Sequence, residues 1–374
     1  MNGQILEIIS KLEKSGKVDR LLEFLFNIIT IIIRRLIWKN RSGTILIISL
    51  HKLGDTVFTI PAVRKIIDRY SDKKVSLITY CDSGEIYKAV LENANIIYLE
   101  KKYFVIGGRL SRNIARKILK GQKPEIIFDL TGNIASASLV FNSRANTIIG
   151  MNSKYFKSIY DVYLPIRNNP HLIERYLDVV KSFLDVNDGE TVREFPVHFE
   201  RDDKILIHPF AGWKAKEWNL HKYIELAGLL NKDYEVEFIS PYNMIAEDVI
   251  QDIKKNAIEI YFTATIKDLM NKIQQCSIFI SNDSGPLYIA SLLGKPTFSI
   301  YGPTNPEYSL PFGKYHRYIQ KRIACSPNGE QYCFTHGGLY CPSNECMSLI
   351  KVSSVHYLLN AFVIEIGIRK AIRS

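Results

Sequence analysis

Residues 278–313 read IFISNDSGPLYIASLLGKPTFSIYGPTNPEYSLPFG. The β-branched and aromatic run Ile278–Ile280 predicts a buried strand that stops at the turn cluster Asn282-Asp283-Ser284-Gly285. Pro286 suits the first position of a helix, which the sequence carries over Leu287–Leu293 and ends at Gly294. A second buried strand follows at Thr297–Tyr301. Such a strand–turn–helix aims the backbone N–H groups of residues 284–287 at one point, and a helix N-terminus of that kind attracts phosphate. Asp283 and Ser284 offer an acceptor and a hydroxyl for a sugar or ribose, while Gly285 lets a ligand approach the backbone. Gly302-Pro303-Thr304-Asn305-Pro306 makes a second polar loop at the same sheet edge, where open α/β sheets bind ligands. An isolated D-S-G triplet is more often a plain βα turn with an N-cap. The second loop, and what precedes it in the chain, set this one apart.

With 374 residues the chain is long enough for two domains with large cores. Its 47% hydrophobic and 23% charged residues fit a globular protein, but a net charge of +11 suggests an anionic partner. Nucleic acid, a phosphorylated substrate and a membrane surface all qualify on charge, and no nucleic-acid-binding motif is present to support the first. Six cysteines in a chain this size do not make a disulfide scaffold, so a reducing compartment is expected. The four late ones, Cys325, Cys333, Cys341 and Cys346 with His336 among them, match no standard zinc spacing; free thiols and no metal are expected.

Residues 1–43 read as a helical extension. The apolar run 21–33 contains Glu23 and Asn27, is short for a membrane span, and lacks a signal-peptide cleavage site. As a helix it carries a narrow polar stripe of Glu23, Asn27, Thr30 and Arg34, followed by the cations Arg35, Lys39 and Arg41. That profile fits a helix lying in a membrane interface and equally one packed on the first domain.

Over 44–195 apolar strands alternate with helices, starting with Thr44–Leu50 and the exit loop His51-Lys52-Leu53-Gly54-Asp55. Further strands fall at Val75–Thr79, Ile96–Leu99, Ile126–Leu130 and Thr147–Ile149, with helices near 84–92, 109–120 and 133–142. The alternation predicts a parallel, doubly wound sheet. Asp55 has the position of an N-cap, and also that of a carboxylate able to deprotonate a hydroxyl at the mouth of the sheet. Between Lys101 and Lys123 the chain carries eight cations and no acid, and Arg109, Arg112, Arg116 and Lys120 share one helix face. Single-sign charge of this kind could receive an anionic acceptor, with Lys52, Arg109, Arg112 and Arg116 as its candidate contacts.

A second α/β unit spans 200–350, and an apolar helix closes the chain at 351–374. Its first strand, Ile205–His208, leads into the loop 209–218, whose Lys214 and Lys216 could neutralise a pyrophosphate. Strands at 236–240 and 258–261 and helices at 219–230, 244–255 and 266–275 complete it.

Taken in order, these residues resemble the heptosyltransferase family, family 9 of the glycosyltransferases, over about residues 44–350. The landmarks are Leu53-Gly54-Asp55 with Pro61, Asp129 with Gly132, His208-Pro209 with Lys216 and Trp218, and Asn282-Asp283-Ser284-Gly285-Pro286. Ala290, Gly294-Lys295-Pro296 and Tyr301-Gly302-Pro303-Thr304-Asn305-Pro306 continue the pattern. No G-x-G-x-x-G and no Walker lysine loop are present. Two positions depart from the family: Tyr288 stands where its members usually carry His, and Phe210 and Gly212 alter the H-P-G-A-S type loop. Both touch the donor pocket and leave the particular sugar nucleotide open.

The resemblance implies a GT-B fold, two Rossmann-like domains facing a central cleft. It implies inverting, metal-independent transfer of heptose or a related sugar from a nucleotide-diphosphate sugar, with no cofactor, to a lipopolysaccharide-core or other anionic lipid-linked glycan. Asp55 then matches the family's base and Lys216 the charge on the leaving group, with His208, Lys214, Asp283, Ser284, Gly285, Pro286, Tyr288 and Thr304 lining the donor site. The expected location is cytoplasmic, peripheral on the inner face of the cytoplasmic membrane. Another GT-B enzyme, such as a nucleotide-sugar epimerase, and a non-catalytic sugar-nucleotide-binding protein are the alternatives.

Overall fold

Ile45–Ile48 and Ile278–Asn282 are buried at every position, as strands sandwiched between helix layers must be. Each is a central strand of its own six-stranded parallel sheet. The computed structural model describes residues 42–371 apart from 92–93, 106–107, 142, 152–153, 168–170, 185–193, 243, 334–340 and 342, together with 28–30, 32 and 39. Two units are divided between residues 191 and 192.

In the first unit the elements run β1 (Ile45–Ile48), α1 (Leu53–Arg69), β2 (Val75–Tyr80), α2 (Cys81–Val90), β3 (Asn95–Leu99), α3 (Arg112–Gln122), β4 (Ile126–Asp129), α4 (Ile134–Val140), β5 (Thr147–Met151), β6 (Val162–Leu164) and α5 (Leu172–Lys181). Strand order is β3-β2-β1-β4-β5-β6, all parallel, so the winding reverses between β1 and β4. The expected alternation is observed; the added elements β6 and α5 extend it. Strand β6 spans three half-buried residues at the sheet edge, too short for an apolar run to mark it.

The second unit repeats the plan: β7 (Lys204–His208), α6 (Leu220–Leu230), β8 (Glu235–Pro241), α7 (Glu247–Lys255), β9 (Glu259–Thr263), α8 (Ile266–Ile273), β10 (Ile278–Asn282), α9 (Gly285–Leu292), β11 (Thr297–Tyr301), a short α10 (Pro306–Ser309), β12 (His316–Gln320), a short α11 (Glu345–Ser348) and α12 (Val352–Glu365). The order β12-β11-β10-β7-β8-β9 puts the reversal between β7 and β10. Ligands of such sheets bind outside the strand carboxyl ends at that reversal. Helix α12 lays Val355, Leu359, Phe362 and Val363 into the same core as Ile224, Leu230 and Ile278. It ends at Glu365, well short of the expected span 351–374, because Gly367 turns left-handed at φ 74°.

Most of the 1–43 extension lies outside the described residues. Within it Thr30 is buried at 1% exposure while Ile28, Ile29 and Ile32 are 38%, 45% and 50% exposed. The one described member of the expected polar stripe therefore turns inward, and the isoleucines turn out. Lys39 is tied to the first unit, donating to the Asn146 carbonyl at 3.0 Å and standing 3.9 Å from Asp161. No helix among the described residues is long and apolar enough to cross a membrane.

Candidate functional site

At the β7/β10 reversal, two exit loops are stitched together by Asn282. Its side-chain amide donates to the Pro209 carbonyl at 2.7 Å, and its Oδ1 accepts from Trp218 N and Tyr223 Oη, each at 3.0 Å. Trp218 is itself buried and anchored through its indole N–H on the Ile350 carbonyl at 3.1 Å. This stitching fixes the 3₁₀ turn Lys214–Lys216 beside the start of α9.

Lys216 Nζ lies 2.6 Å from Asp283 Oδ2 and 4.4 Å from the centre of the Trp213 ring. The Thr304 hydroxyl donates to the same Oδ2 at 2.7 Å, and the Tyr288 hydroxyl donates to Oδ1. Burial would raise the Asp283 carboxyl, yet the Lys216 ammonium and the hydrogen bonds from Lys216, Tyr288 and Thr304 hold it below the usual carboxylate range. Lys216, Asp283, Tyr288 and Thr304, four of the expected site residues, thus form one cluster in which only Lys216 is partly exposed.

The other donor-side candidates behave differently. Ser284 is the N-cap of α9 without a side-chain cap bond; its hydroxyl meets Ser281 Oγ at 2.9 Å. The expected row of four N–H groups shrinks, since Pro286 has none and Leu287 N is used on the Ser284 carbonyl at 3.1 Å. Ser284 and Gly285 remain to supply them. His208 is buried against Phe279 and Phe210, which pushes it down to about 4 and keeps the imidazole neutral. Its Nδ1 has no hydrogen-bond partner among the described residues. Lys214 points to solvent, with 92% of its side chain exposed, and pairs with Glu217 at 2.6 Å.

In the first unit, the β1 and β4 exit loops meet at the other reversal. Leu50 N donates to Thr131 Oγ1 at 2.8 Å, and His51 Nε2 donates to the Leu130 carbonyl at 2.9 Å. Asp129 is buried and builds the β4 loop: Oδ1 accepts from Thr131 N (2.9 Å) and Gly132 N (3.1 Å), and Oδ2 from the Tyr160 hydroxyl (2.7 Å). Asp55 sits in the first turn of α1 but is not its cap, because the N-cap residue is Lys52. The Asp55 carboxylate is exposed and makes no hydrogen bond or ion pair among the described residues. Lys52 is exposed beside it, and Arg112 and Arg116 are exposed on α3, with Arg109 half-buried ahead of that helix.

Sequence reasoning missed Tyr301, Ser309, Trp213 and Tyr223 as parts of the donor-side cluster. All but Trp213 reach it from strand or helix positions that read as plain core. The segment after β12 also folds over the 302–305 loop, Cys333 N donating to the Pro303 carbonyl at 2.8 Å and Tyr332 bridging Thr304. Burial, with Cys325, Cys341 and Cys333 nearby, pushes the Cys346 thiol up to about 11. No cysteine is bridged, and among the described residues no three His, Cys, Asp or Glu side chains stand so as to hold a metal. His336 lies outside them.

Two doubly wound parallel sheets with polar clusters at their reversals are the architecture of the GT-B fold. The chain belongs to glycosyltransferase family 9 (heptosyltransferase): the family model matches residues 112–337, more than half its length. It is similar to lipooligosaccharide heptosyltransferase 2 of Campylobacter jejuni, 25% identical over 294 residues that cover 75% of this chain and 88% of the relative. It is also similar to lipopolysaccharide heptosyltransferase 3 of Escherichia coli, 23% identical over 69% of this chain and 83% of that one. Among solved structures, a family 9 glycosyltransferase of Veillonella parvula superposes with a TM-score of 0.69 at 18% identity, covering 88% of this chain and 99% of that one. The E. coli ADP-heptose lipopolysaccharide heptosyltransferase II gives 0.64 at 19% identity, covering 86% and 99%. These superpositions show the fold, and the family match makes the chain a glycosyltransferase, which sets the epimerase reading aside.

Proposed function

We infer that this glycosyltransferase moves a heptose or closely related sugar from a nucleotide-diphosphate donor to a lipopolysaccharide-core type, lipid-linked acceptor, with inversion at the anomeric carbon. The observation that carries the reading is the pairing of the partly exposed Lys216 with the buried Asp283, held beside the positive N-terminal end of α9 at the β7/β10 reversal. In the reaction Asp55 takes the proton of the acceptor hydroxyl, whose oxygen forms the new bond to the anomeric carbon. The bond from that carbon to the diphosphate breaks, and its electron pair leaves on the diphosphate oxygen. Lys216 and the N–H groups of Ser284 and Gly285, for which no backbone partner stands among the described residues, stabilise that charge as it develops. The relatives named above are lipopolysaccharide and lipooligosaccharide heptosyltransferases, which supports heptose as the sugar. A panel of nucleotide sugars tests the donor by thermal shift. An ADP-linked heptose is expected to stabilise the protein most, and stabilisation by a UDP- or GDP-linked hexose alone would overturn the sugar assignment.

Lysine and helix dipole together supply the charge that a metal provides elsewhere, so transfer proceeds without one. Activity is expected to be unchanged in excess chelator; loss restored by magnesium or manganese would refute metal independence.

A lipid-linked acceptor calls for an enzyme that works on the inner face of the cytoplasmic membrane, and this is the location proposed here. Exposed Ile28, Ile29 and Ile32 and the cations of α3 support that location. Arg112, Arg116, Lys117 and Lys120 are exposed there with no ion pair among the described residues. Each cation near an anionic surface contributes about 1 kcal/mol, so binding to phosphatidylglycerol vesicles should weaken as salt rises. A protein that ignores such vesicles at low salt would refute the membrane location.

A further inference from the structure

The Asp283 carboxylate is filled from both sides. Lys216 and Thr304 occupy Oδ2, and the Tyr288 hydroxyl occupies Oδ1. Behind Tyr288 stand two more hydroxyls, Ser309 and Tyr301, within hydrogen-bonding reach of its own and 3.3 Å from each other. Tyr288, Tyr301, Ser309 and Asp283 are all buried, so water does not substitute for any of these bonds. A hydroxyl has a single proton, and Tyr288 spends it on Asp283. Its lone pairs then face Tyr301 and Ser309, which gives the chain of hydrogen bonds one direction, ending at the carboxylate.

A carboxylate's last torsion is soft and holds no orientation by itself. The geometry points to Tyr288 as a positioning residue: it locks the Asp283 carboxylate so that Oδ2 holds the Lys216 ammonium against Trp213, at the place where the leaving diphosphate is received. The role rests on the donor-site reading above. It also gives a task to the tyrosine at this position, where the family's usual residue is His: its phenol hydroxyl donates to Asp283. Among the described residues, Lys216, Tyr288 and Tyr301 are the titratable groups that act on the carboxylate.

Calorimetry with ADP, and with UDP as a second probe, compares the wild type with Tyr288→Phe and Tyr288→His across pH. The Phe variant keeps the ring and loses the proton; it should bind about tenfold or more weakly, the scale of one hydrogen bond to a charged group. Removing a donor from the carboxylate also raises its pKa. Relative to wild type, the affinity of the Phe variant should therefore collapse at a higher pH as the solution is acidified. The His variant, with a donor restored, should recover both properties. A purely packing role would not move the pH of collapse, so a Phe variant with wild-type affinity and pH dependence overturns the positioning role alone. A wild type that binds neither nucleotide overturns the donor-site reading and this role with it. Should the Phe variant not fold, a His variant with wild-type melting temperature but neither property recovered overturns it.

Discussion

Asp55→Asn is expected to lower sugar transfer by ~10²–10⁴-fold, the usual contribution of a general base, with nucleoside diphosphate affinity unchanged. The amide has the same shape and keeps the backbone of α1, but it cannot take a proton. Asp55 is also not needed where structure would need it. The N-cap residue of α1 is Lys52, and the Asp55 carboxylate makes no hydrogen bond or ion pair among the described residues, although its charge is felt by His51. An acid in the first turn does favour the helix through its dipole, by about 0.3–1 kcal/mol, so a small fall in melting temperature accompanies the substitution. A variant retaining more than about a tenth of wild-type turnover, measured at saturating donor, would reduce Asp55 to that minor helical role.

Lys216→Ala is expected to weaken nucleoside diphosphate binding by roughly tenfold to a hundredfold, the loss of one charge-assisted contact. It also strands a buried carboxylate. Breaking a buried pair by removing one partner costs about 3 kcal/mol or more. In the wild type the Asp283 carboxyl is held below its ordinary range, with Lys216 the chief cause opposing burial. That pair adds stability above the unfolded-state pKa and loses it as pH falls through the lower folded value. Without Lys216, burial raises the carboxyl, and the variant is most destabilised near neutral pH. The melting-temperature gap between variant and wild type should therefore narrow on acidification as Asp283 takes up a proton. A gap that stays constant from pH 7 to about 4 would mean that the pair contributes nothing through charge.

Both sheets were legible because their central strands carry unbroken apolar runs, Ile45–Ile48 and Ile278–Ile280 among them, buried on both faces. Of the four edge strands, β3 and β9 were legible, and β6 and β12 were not. His316–Gln320 reads HRYIQ, without an apolar run, and takes its identity from pairing alongside β11. At the site, the turn residues Asp283 and Thr304 and the loop Lys216 stood out by type and position. Their convergence on one carboxylate did not, since it depends on how β7, β10 and β11 lie side by side. Tyr301 and Ser309 illustrate the limit: each reads as ordinary core or turn, and only the folded register brings their hydroxyls behind Tyr288. Asn282 is similar, read as a turn former and found to be the stitch between two loops.

The central claim is transfer, and it is tested most directly by following donor cleavage and acceptor mass together. With an ADP-heptose donor and a heptose-deficient lipooligosaccharide, ADP should appear only when acceptor is present, and the acceptor should gain the mass of one heptose for each ADP released. Donor consumed at the same rate without acceptor, or acceptor of unchanged mass, would contradict it.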